Sequence, residues 1–470
     1  MVEKNTMIEK DRLIIGLTGS LGSGVSTASK YLVRSLSSKV YKIAGNGWDP
    51  SIPVEIQDAA YKFSRIIEEE AEKRGEKRNT KGEFDRELLQ RIGNELRREK
   101  GTGYLAREML ERISKIENKI GGGNNHPIII DGIKNSGEVE ELRKYSYFFL
   151  FAIDTYVEKR WDRVKDKYKG DYFKFLADDE RDHNENIDYG QQVDKCVYLS
   201  DILINNDSDI KKELTDKIDS YLPRIKGESY DYPMPIESIM TQAYCESLKS
   251  HCMKRKVGAV IASNDGIPMV STYNEVPYPR EKPEHCEEKY GMCYRDKVKI
   301  DLIKNLKKCP KCGTDIEQNI TCPKCKSVIH INDIAPTCSN EKCKLDLDLD
   351  SFFVCKGCNS KIIKEFVGKR MEVCRALHAE ERAIIQLGKL GMSLKPSDVT
   401  LYTTTFPCPQ CANKIVGFGI GKIVFVEPYP TKESKDLLES SLGKNNIDKF
   451  EGVKARAYFR IYDRAREKTI

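Results

Sequence analysis

The sequence predicts an α/β protein with two main domains, and three observations lead to this prediction. From residue 12 to about residue 225, apolar strands alternate with long charged stretches of helical spacing, a pattern typical of a parallel sheet. From about residue 236 the order of elements reads α-β-β-α-β-α-β, which indicates a second, mixed sheet. Residues 226–235 between them are rich in proline and polar residues, as linkers are.

Composition and charge narrow the classes of function. The chain has 470 residues, of which 39% are hydrophobic and 32% are charged, as in globular proteins rather than disordered tails. Its net charge of +6 is too small to indicate nucleic-acid binding by itself. The longest apolar run, residues 147–153, is far shorter than the ~20 residues of a membrane span, and the polar N-terminus has no secretory signal. We therefore expect a cytoplasmic protein without membrane contact, in which clustered cysteines bind metal.

The first strand, residues 13–15, runs into a glycine-rich loop that precedes a helix. This is the context of a phosphate-binding loop, in which backbone N–H groups and a helix N-terminus face the phosphates. The pattern G-x4-G-K-[ST] fits except at Val25, which replaces the lysine that reaches the β- and γ-phosphates. Asp131 follows the strand at residues 128–130, where a magnesium-binding acid is expected. The candidate nucleotide-binding residues are Gly19, Gly22, Gly24, Ser26, Thr27 and Asp131.

Residues 12–225 therefore resemble the nucleoside-monophosphate kinase group of P-loop proteins, which implies a kinase-like parallel-sheet domain. Without the lysine, three alternatives stay open: a sensor that binds a regulatory nucleotide with Mg²⁺ without hydrolysing it, a structural relic, and a kinase with a relocated lysine. We favour the sensor. Arg160, Arg163 and Lys165, which a kinase would use as a lid on the phosphates, are expected on a solvated helix face.

Two short motifs in the second domain carry the strongest chemical signal. His378-x-Glu380 is followed by Cys408-x-x-Cys411, and this set resembles the H-x-E…P-C-x-x-C signature of zinc deaminases. One imidazole and two thiolates would hold zinc and leave its fourth position for water. Glu380 would move the proton of that water without binding the metal. The alternative is a closed structural site in which Cys374 is the fourth ligand.

A longer resemblance covers about residues 236–426, apart from an insertion. It is carried by four segments, residues 256–261, 272–274, 378–384 and 407–411. They resemble the cytidylate/deoxycytidylate deaminase family, which implies a three-layer α/β/α domain, here residues 236–470, and a homo-oligomer. The resemblance also implies that Asn274 contacts the sugar of a nucleotide. Glu275 departs from the family, which usually has glycine at this position.

Residues 300–362 interrupt this domain and contain eight of the sixteen cysteines. Their spacing predicts a double zinc ribbon with two closed sites, although cross-brace pairing would use the same residues. The two groups are Cys309, Cys312, Cys322 and Cys325, and Cys338, Cys343, Cys355 and Cys358. The metal would supply most of the folding free energy of so short a segment. The insertion is either a structural plug, which we favour, or a recognition element for RNA, a protein or an oligomer partner.

Four further side chains that can bind metal remain near the deaminase motifs. They are His285, Cys286, Cys293 and Cys374. Some relatives in the family carry an additional structural zinc in this region, and the alternative is a set of buried free cysteines. The expected cofactors are therefore one catalytic and two or three structural Zn²⁺ ions.

The fusion of a degenerate P-loop domain with a deaminase domain resembles the bacterial dCTP deaminases of anti-phage defence. That resemblance implies hydrolytic deamination of dCTP or dCMP to dUTP or dUMP and ammonia, which drains the dCTP pool. An inhibitory RNA or protein is the expected regulatory partner. The alternatives are a housekeeping dCMP deaminase for thymidylate precursor supply, a nucleic-acid cytosine deaminase, and an RNA-binding regulator.

Overall fold

The structure is a computed structural model, and its described part excludes several loops and most of the insertion. The described residues are 12–36, 60–79, 82–120, 126–183, 185, 187–228, 232–277, 284–316, 319–321, 327–330, 371–391, 395–427 and 432–467. The chain divides into two compact units, Met1–Thr241 with Lys449–Ile470, and Gln242–Asp448. None of the helices in the described ranges has the length and apolar character of a membrane-spanning helix.

The first unit is built on one six-stranded sheet. Numbered along the chain, its strands are β1 (Ile14–Thr18), β2 (Tyr61–Lys62), β3 (Ile128–Asp131), β4 (Phe148–Asp154), β5 (Ile202–Asn205) and β13 (Gly452–Val453). Their order in the sheet is β13-β5-β4-β1-β3-β2. The first five pair in parallel, and β13 pairs with β5 in the antiparallel direction. Every residue of β1 and β3 is buried, as expected for apolar strands of a parallel sheet.

Amphipathic helices connect these strands. They are α1 (Val25–Ser35), α2 (Phe63–Lys73), α3 (Arg86–Lys100), α4 (Tyr104–Ile120), α5 (Ser136–Leu142), α6 (Val157–Val164), α7 (Tyr172–His183), α8 (Val193–Leu199), α9 (Lys211–Lys226) and α16 (Ala455–Glu467). Helix α1 shows the usual helical spacing, since Ala28, Leu32 and Val33 are its buried apolar residues. Helix α9 ends where Gly227 adopts a left-handed conformation, and α10 (Pro235–Leu248) begins at the end of the predicted linker.

The C-terminal segment belongs to the first unit, which corrects a predicted domain boundary. We expected residues 236–470 to form one domain, but Gly452 and Val453 pair with Leu203 and Ile202 of β5. The backbone N–H of Val453 also donates to the carboxylate of Glu237, at 2.8 Å. The second unit therefore ends at residue 448. A two-residue strand has no alternation that a sequence pattern can detect, which is why the boundary was misplaced.

The second unit has a mixed five-stranded sheet. Its strands are β6 (Gly258–Ser263), β7 (Pro268–Tyr273), β10 (Val399–Thr405), β11 (Lys422–Glu427) and β12 (Ile447–Lys449), in the order β12-β11-β10-β6-β7. Strand β6 is antiparallel to β7 and β10, and β10 is parallel to β11. Besides α10, the described helices are α11 (Cys286–Tyr290), α12 (Tyr294–Lys304), α13 (Ala379–Lys389), α14 (Pro409–Phe418) and α15 (Lys432–Leu442).

A glycine brings α10 directly onto the sheet of this unit. A Cβ atom at Gly258 would lie 1.8 Å from the carbonyl oxygen of Ala243 in α10, so only glycine fits. On the sheet, Ala259, Ile261 and Leu401 form one buried cluster together with Ala383 of α13 and Ile415 of α14. The order of elements agrees with the predicted α-β-β-α-β-α-β pattern, and the fold class of both units is α/β.

The described part of the insertion is small. Strands β8 (Asn319–Thr321) and β9 (Val328–His330) form a two-stranded antiparallel sheet. The N–H of Gly313 donates to the carbonyl of Cys309, at 2.9 Å, and this tight turn contains Cys312. The other six predicted ligands, Cys322, Cys325, Cys338, Cys343, Cys355 and Cys358, lie outside the described residues, so the zinc ribbons stay a prediction.

Candidate metal centre and active site

His378 and Glu380 stand at the beginning of α13. His378 is the residue before the first turn, with extended backbone angles, and Glu380 lies in the first turn. The hydroxyl of Thr272 in β7 donates to the carbonyl of Ala379 at 2.8 Å, which fixes the start of the helix to the sheet. The two side chains therefore project from one rigid point of the second unit.

Cys408 and Cys411 stand at the beginning of α14, which follows β10. Cys408 caps the helix, Pro409 occupies its first position, and Cys411 lies in the first turn. Both cysteines are buried, at 5% and 1% relative exposure. The N-terminus of a helix carries partial positive charge, which stabilises a thiolate at these positions.

The ligand atoms of His378, Cys408 and Cys411 lie within 4.8 Å of one another, and we call this group the His378 triad. Each cysteine sulfur is 3.3 Å from Nδ1 of His378. A tetrahedral zinc would hold a thiolate sulfur and an imidazole nitrogen about 3.5 Å apart, so the triad fits this ion. Cys374, the alternative fourth ligand, contacts His378 and lines the same cavity, but its sulfur is not part of this converging group.

Protonation within the triad is strongly coupled. A hydrogen bond from the Cys411 thiol, followed by the neighbouring His378, lowers the pKa of Cys408 well below its usual value. The same contact, together with burial, raises the pKa of Cys411. Burial disfavours the imidazolium, but hydrogen bonds to Cys374 and Cys408 outweigh it and raise the pKa of His378 to about 10. Metal binding requires two thiolates and a neutral imidazole, so it would release protons here.

Glu380 is a buried carboxyl group beside the triad. It is 4% exposed, and its Oε2 lies 3.6 Å from the sulfur of Cys411. Burial raises the pKa of Glu380. Among the residues that the structure describes, no lysine or arginine forms an ion pair with it. Such a group can gain and lose a proton next to a metal site without binding the metal itself.

Asn274, the predicted sugar contact, holds the loop that precedes β6. Its side-chain oxygen accepts from the N–H of Val257 at 2.8 Å, and its amide donates to the carbonyl of Arg255 at 2.9 Å. One N–H and one lone pair of the amide remain for another partner. Asn274 lines the cavity that also contains His378 and Glu380. Its contact with a sugar stays a prediction.

Glu275, which departs from the family pattern, joins this loop to α13. Its backbone forms an antiparallel bridge with Leu377, and its carboxylate lies 3.0 Å from the guanidinium of Arg382. Arg382 also stacks over the ring of Tyr273, 4.6 Å from its centre. Glu275 therefore fixes the position of Asn274 relative to the start of α13.

The predicted additional metal set is only partly brought together. His285, Cys286, Cys293 and Cys374 all line one small cavity. The ligand atoms that converge there, however, belong to His251, Glu275 and His285, and the two imidazole rings stack 4.0 Å apart. His251 and Glu275 were not predicted as candidate ligands because neither belongs to a cysteine or histidine motif.

The glycine-rich loop of the first unit, residues 19–27, keeps the backbone of a phosphate-binding loop. Gly22 and Gly24 have φ angles of 81° and 105°, which favour glycine. A Cβ atom at Gly24 would lie 2.3 Å from the side-chain nitrogen of Asn206. The hydroxyl of Ser26 donates to Asp131 at 3.0 Å, the pairing expected of a magnesium site.

This loop lines a cavity of about 550 Å³ together with cationic side chains. Val25 is part of the wall, so no lysine occupies the usual position, but Lys134, Lys167 and Lys211 also line the cavity. All six predicted nucleotide-binding residues are in the lining, which contains Gly19, Gly22, Gly24, Ser26, Thr27 and Asp131.

The prediction of a solvated face for Arg160 and Arg163 is wrong. Arg160 is 5% exposed, forms an ion pair with Asp179, and donates to the carbonyl of Leu21 at 3.3 Å. Arg163 lines the cavity and donates to the carbonyl of Asn206 at 2.9 Å. Long side chains of α6 are therefore held against the loop by backbone carbonyls, an arrangement that helical spacing alone does not reveal.

The cavity beside the His378 triad has a volume of about 110 Å³, and its wall includes residues that the sequence analysis did not single out. Arg295, Thr405 and Phe406 are among them. Arg295 lies in the first turn of α12, where the helix dipole disfavours a cation. That unfavourable placement is the one sequence signal that could have identified it.

Comparison with known proteins points to one family for the second unit. The family described as cytidine and deoxycytidylate deaminase zinc-binding region matches residues 234–427. Deoxycytidylate deaminase of Schizosaccharomyces pombe is 24% identical over 310 residues, which are 64% of this chain and 70% of that protein. Deoxycytidylate deaminase of Saccharomyces cerevisiae is 33% identical over 79 residues, 17% of this chain and 23% of that protein. A dCMP deaminase structure from the cyanophage S-TIM5 has a TM-score of 0.24 at 17% identity, covering 47% of this chain and 100% of that one.

Proposed function

We propose that the second unit catalyses the zinc-dependent hydrolytic deamination of a deoxycytidine nucleotide, because residues 234–427 match the family described as cytidine and deoxycytidylate deaminase zinc-binding region. The observation that carries this proposal is the convergence of the His378 triad beside a buried carboxyl group, Glu380. A closed structural site would have no use for that carboxyl group, which is buried with no lysine or arginine partner among the described residues, an unfavourable arrangement.

His378, Cys408 and Cys411 would hold the zinc. When bound, this ion would act as a Lewis acid and make a water molecule nucleophilic at neutral pH. The walls of the cavity hold the cytosine ring, with Phe406 as an apolar surface and Asn274 near the sugar. The helix N-termini of α13 and α14 add positive potential at the place where negative charge develops in the reaction.

Glu380 carries the proton through the reaction. It takes a proton from the attacking water as the new C–O bond forms at C4 of cytosine, and delivers it to N3 of the ring. It then takes the second proton of the former water and gives it to the departing amine as the C4–N4 bond breaks. The products are the uracil nucleotide and ammonia, so atoms and charge balance.

We further propose that dCTP, dCMP or both are the substrates and that the reaction depletes the dCTP pool during phage infection. An enzyme that drains an essential pool needs restraint in healthy cells, and the first unit and the insertion are the places for that control. An inhibitory RNA or protein would act there. Supply of thymidylate precursor by a housekeeping dCMP deaminase is the competing function, and the relative use of dCMP and dCTP separates the two.

For the first unit we propose a nucleotide-binding role without phosphoryl transfer. The φ angles of Gly22 and Gly24 and the contact between Ser26 and Asp131 support binding of phosphate and Mg²⁺. Val25 supplies no charge to the β- and γ-phosphates, which opposes transfer. The bound nucleotide would be a regulatory ligand rather than a substrate.

The remaining metal sites and the oligomeric state are also proposals. We expect two closed zinc sites in the insertion, one of them including Cys309 and Cys312, and a further ion at the cavity lined by His285 and Cys374. The total would be three or four zinc ions per chain. We expect a homo-oligomer, which light scattering can measure.

One assay tests the catalytic proposal. Purified protein is incubated with dCTP, dCMP, CTP and a cytosine-containing oligonucleotide, and ammonia release is compared with that of Glu380→Ala. We expect conversion of a deoxycytidine nucleotide by the unaltered protein and none by the variant. Conversion of dCMP alone would favour precursor supply, and conversion of the oligonucleotide alone would contradict the proposal.

A further inference from the structure

Three cationic side chains line the cavity beside the His378 triad. They are Lys254 and Arg255, from the loop before β6, and Arg295, from the first turn of α12. The described lining of this cavity contains one carboxyl group, that of Glu380. Although Lys254 and Arg255 pair with the carboxylates of Asp296 and Glu427, cationic side chains outnumber carboxyl groups in the described lining, which favours an anionic ligand.

We propose that Arg295 recognises the phosphate of the substrate, and that α12, which leads into the cysteine-rich insertion, thereby becomes part of substrate recognition. This inference deepens the proposed function and rests on it. It assigns the preference for a nucleotide over a nucleoside to a residue outside the deaminase motifs. Lys254 and Arg255 complete the cationic wall.

The first turn of α12 is fixed to the cavity wall by an ion pair in which the carboxylate is buried and the ammonium group is half exposed. Asp296, the neighbour of Arg295, is 4% exposed, and its carboxylate lies 2.5 Å from the ammonium group of Lys254. Because consecutive helical residues point about 100° apart, Asp296 can hold α12 in place while Arg295 faces the cavity. The ion pair therefore orients Arg295 and ties both segments of the cationic wall together.

Arg255 lies on another part of the wall and has a loose carboxylate partner. Its guanidinium is 3.5 Å from Glu427, and the two side chains are 43% and 26% exposed. An exposed pair of this kind contributes little to stability, so a phosphate can replace the carboxylate at small cost. The cation is thus kept near the cavity mouth in the absence of substrate.

Two other cations near the motifs have different contacts. Arg375 donates to the carbonyl of Glu284 at 3.3 Å and stacks over Tyr290, 5.3 Å from the ring centre. Neither Arg375 nor Lys256 is in the described lining of the cavity. Proximity in sequence to the deaminase motifs therefore identifies only part of the cationic wall. Lys254 and Arg255 line the cavity, and Arg295, which lies far from the motifs in sequence, lines it with them.

The position of Arg295 also makes the insertion relevant to catalysis. Helix α12 ends at Lys304, and the turn that contains Cys309 and Cys312 follows a few residues later. The N–H of Ile316 donates to the carbonyl of Lys307 at 3.0 Å, which joins this turn to the end of the helix. A change at the cysteine-rich segment can thus reach the cavity through one short helix.

The test compares Arg295→Gln with Lys297→Gln, a control on the same helix whose ammonium group pairs with Asp301 at 2.7 Å. The full-length protein is assayed with deoxycytidine, dCMP and dCTP. For Arg295→Gln we expect KM for both nucleotides to rise about tenfold with little change in kcat, because a charged hydrogen bond to the phosphate is lost. KM for deoxycytidine should change far less, and Arg295→Lys should recover part of the loss.

The outcomes separate this inference from the proposed function. If the unaltered protein deaminates none of the three substrates, the proposed function fails and this inference fails with it. If it deaminates the nucleotides but Arg295→Gln behaves like Lys297→Gln, only this inference is overturned. An equal loss with all three substrates would also overturn it, because the residue would then act on folding or on the base. Asp296→Asn, which removes the ion pair that orients Arg295, should raise the same two KM values by a smaller factor.

Discussion

The glycine-rich loop of the first unit and the Cys408 turn of the second unit occupy equivalent places, since each begins a helix that follows a strand. The loop has the glycines that the proposed phosphate site requires, with Gly24 in a left-handed conformation, but has Val25 where such a loop has a lysine. The Cys408 turn, in contrast, has both cysteines that converge with His378 as candidate metal ligands.

The difference distinguishes residues whose identity is required by packing from residues whose identity is required only by chemistry. Gly24 has no room for a Cβ atom beside Asn206, so its identity is fixed by the fold whether or not a ligand binds. A lysine at position 25 would have no such role in packing and can be lost without structural cost. Glu380 is the opposite case, because in the described part of the chain no lysine or arginine pairs with this buried carboxyl group, so its burial costs stability and the proposed proton transfer gives it a role.

The largest expected effect is at the metal ligands. Cys411→Ser replaces a thiolate by a hydroxyl group, a poor zinc ligand, so the protein should lose about one zinc per chain and all measurable deamination. Metal analysis and ammonia release give both results. Cys245→Ser, at an exposed cysteine of α10, is the control and should change neither. Full zinc content in Cys411→Ser would show that the triad does not hold the ion.

A large effect is also expected at the proton carrier. Glu380→Gln should lower kcat about 10³-fold while zinc content stays unchanged, because the amide cannot transfer a proton. Glu381→Gln is a matched control, since this neighbouring carboxylate pairs with Lys414 on the surface. Equal activity in the two variants would show that Glu380 is not the proton carrier.

A moderate effect is expected from restoring the missing charge. Val25→Lys should tighten binding of a nucleoside triphosphate with Mg²⁺ about tenfold, the amount that one charged contact typically contributes. Isothermal titration calorimetry measures it, and Val25→Met, of similar length without charge, is the control. If neither variant nor the unaltered protein binds the nucleoside triphosphate, the loop is a structural relic. The comparison is then between a functional site and a site that has lost its function.

The smallest effect concerns the pH dependence of the first unit. Burial disfavours the charged ring, but hydrogen bonds to Asp179 and Asp194 raise the pKa of His183 from 6.5 to about 10. A raised pKa stabilises the fold fully below pH 6.5, and this contribution is lost as the pH rises through about 10. Discounted for partial exposure, the loss should be about 1–2 kcal/mol.

Thermal unfolding between pH 6.5 and pH 10 measures this loss, and His183→Gln should flatten the profile. His183 also lies 3.4 Å from the hydroxyl of Ser20, so the same titration should loosen the glycine-rich loop. A profile that is steep in both proteins would assign the pH dependence to other groups.

The candidate site was largely predictable from the sequence because its candidate metal ligands and its proton carrier lie in two short motifs. His378 and Glu380 share one helical turn, as do Cys408 and Cys411, and helix geometry alone brings each pair to one end of its helix. Arg295 was not predictable in this way. It reaches the cavity through the packing of α12, and the one local signal, a cation in the first turn of a helix, does not by itself indicate that destination.

The fold shows the same division. The apolar strands of the first unit were predicted nearly at their observed positions, since β3 spans Ile128–Asp131 and β4 spans Phe148–Asp154. The short strand β13 was missed, and with it the true extent of the first unit. Continuous apolar runs specify buried strands locally, whereas an edge strand of two residues is specified by the partner that it meets.

The pairing of β13 with β5 has a consequence for the order of events during synthesis. The ribosome makes five strands of the six-stranded sheet first, then the whole of the second unit, and only then the strand that closes the edge. During synthesis, β5 therefore lacks its partner strand β13 while more than 200 residues, from Asn205 to Gly452, are added. Premature termination anywhere in the second unit would leave that edge open to pairing with another chain.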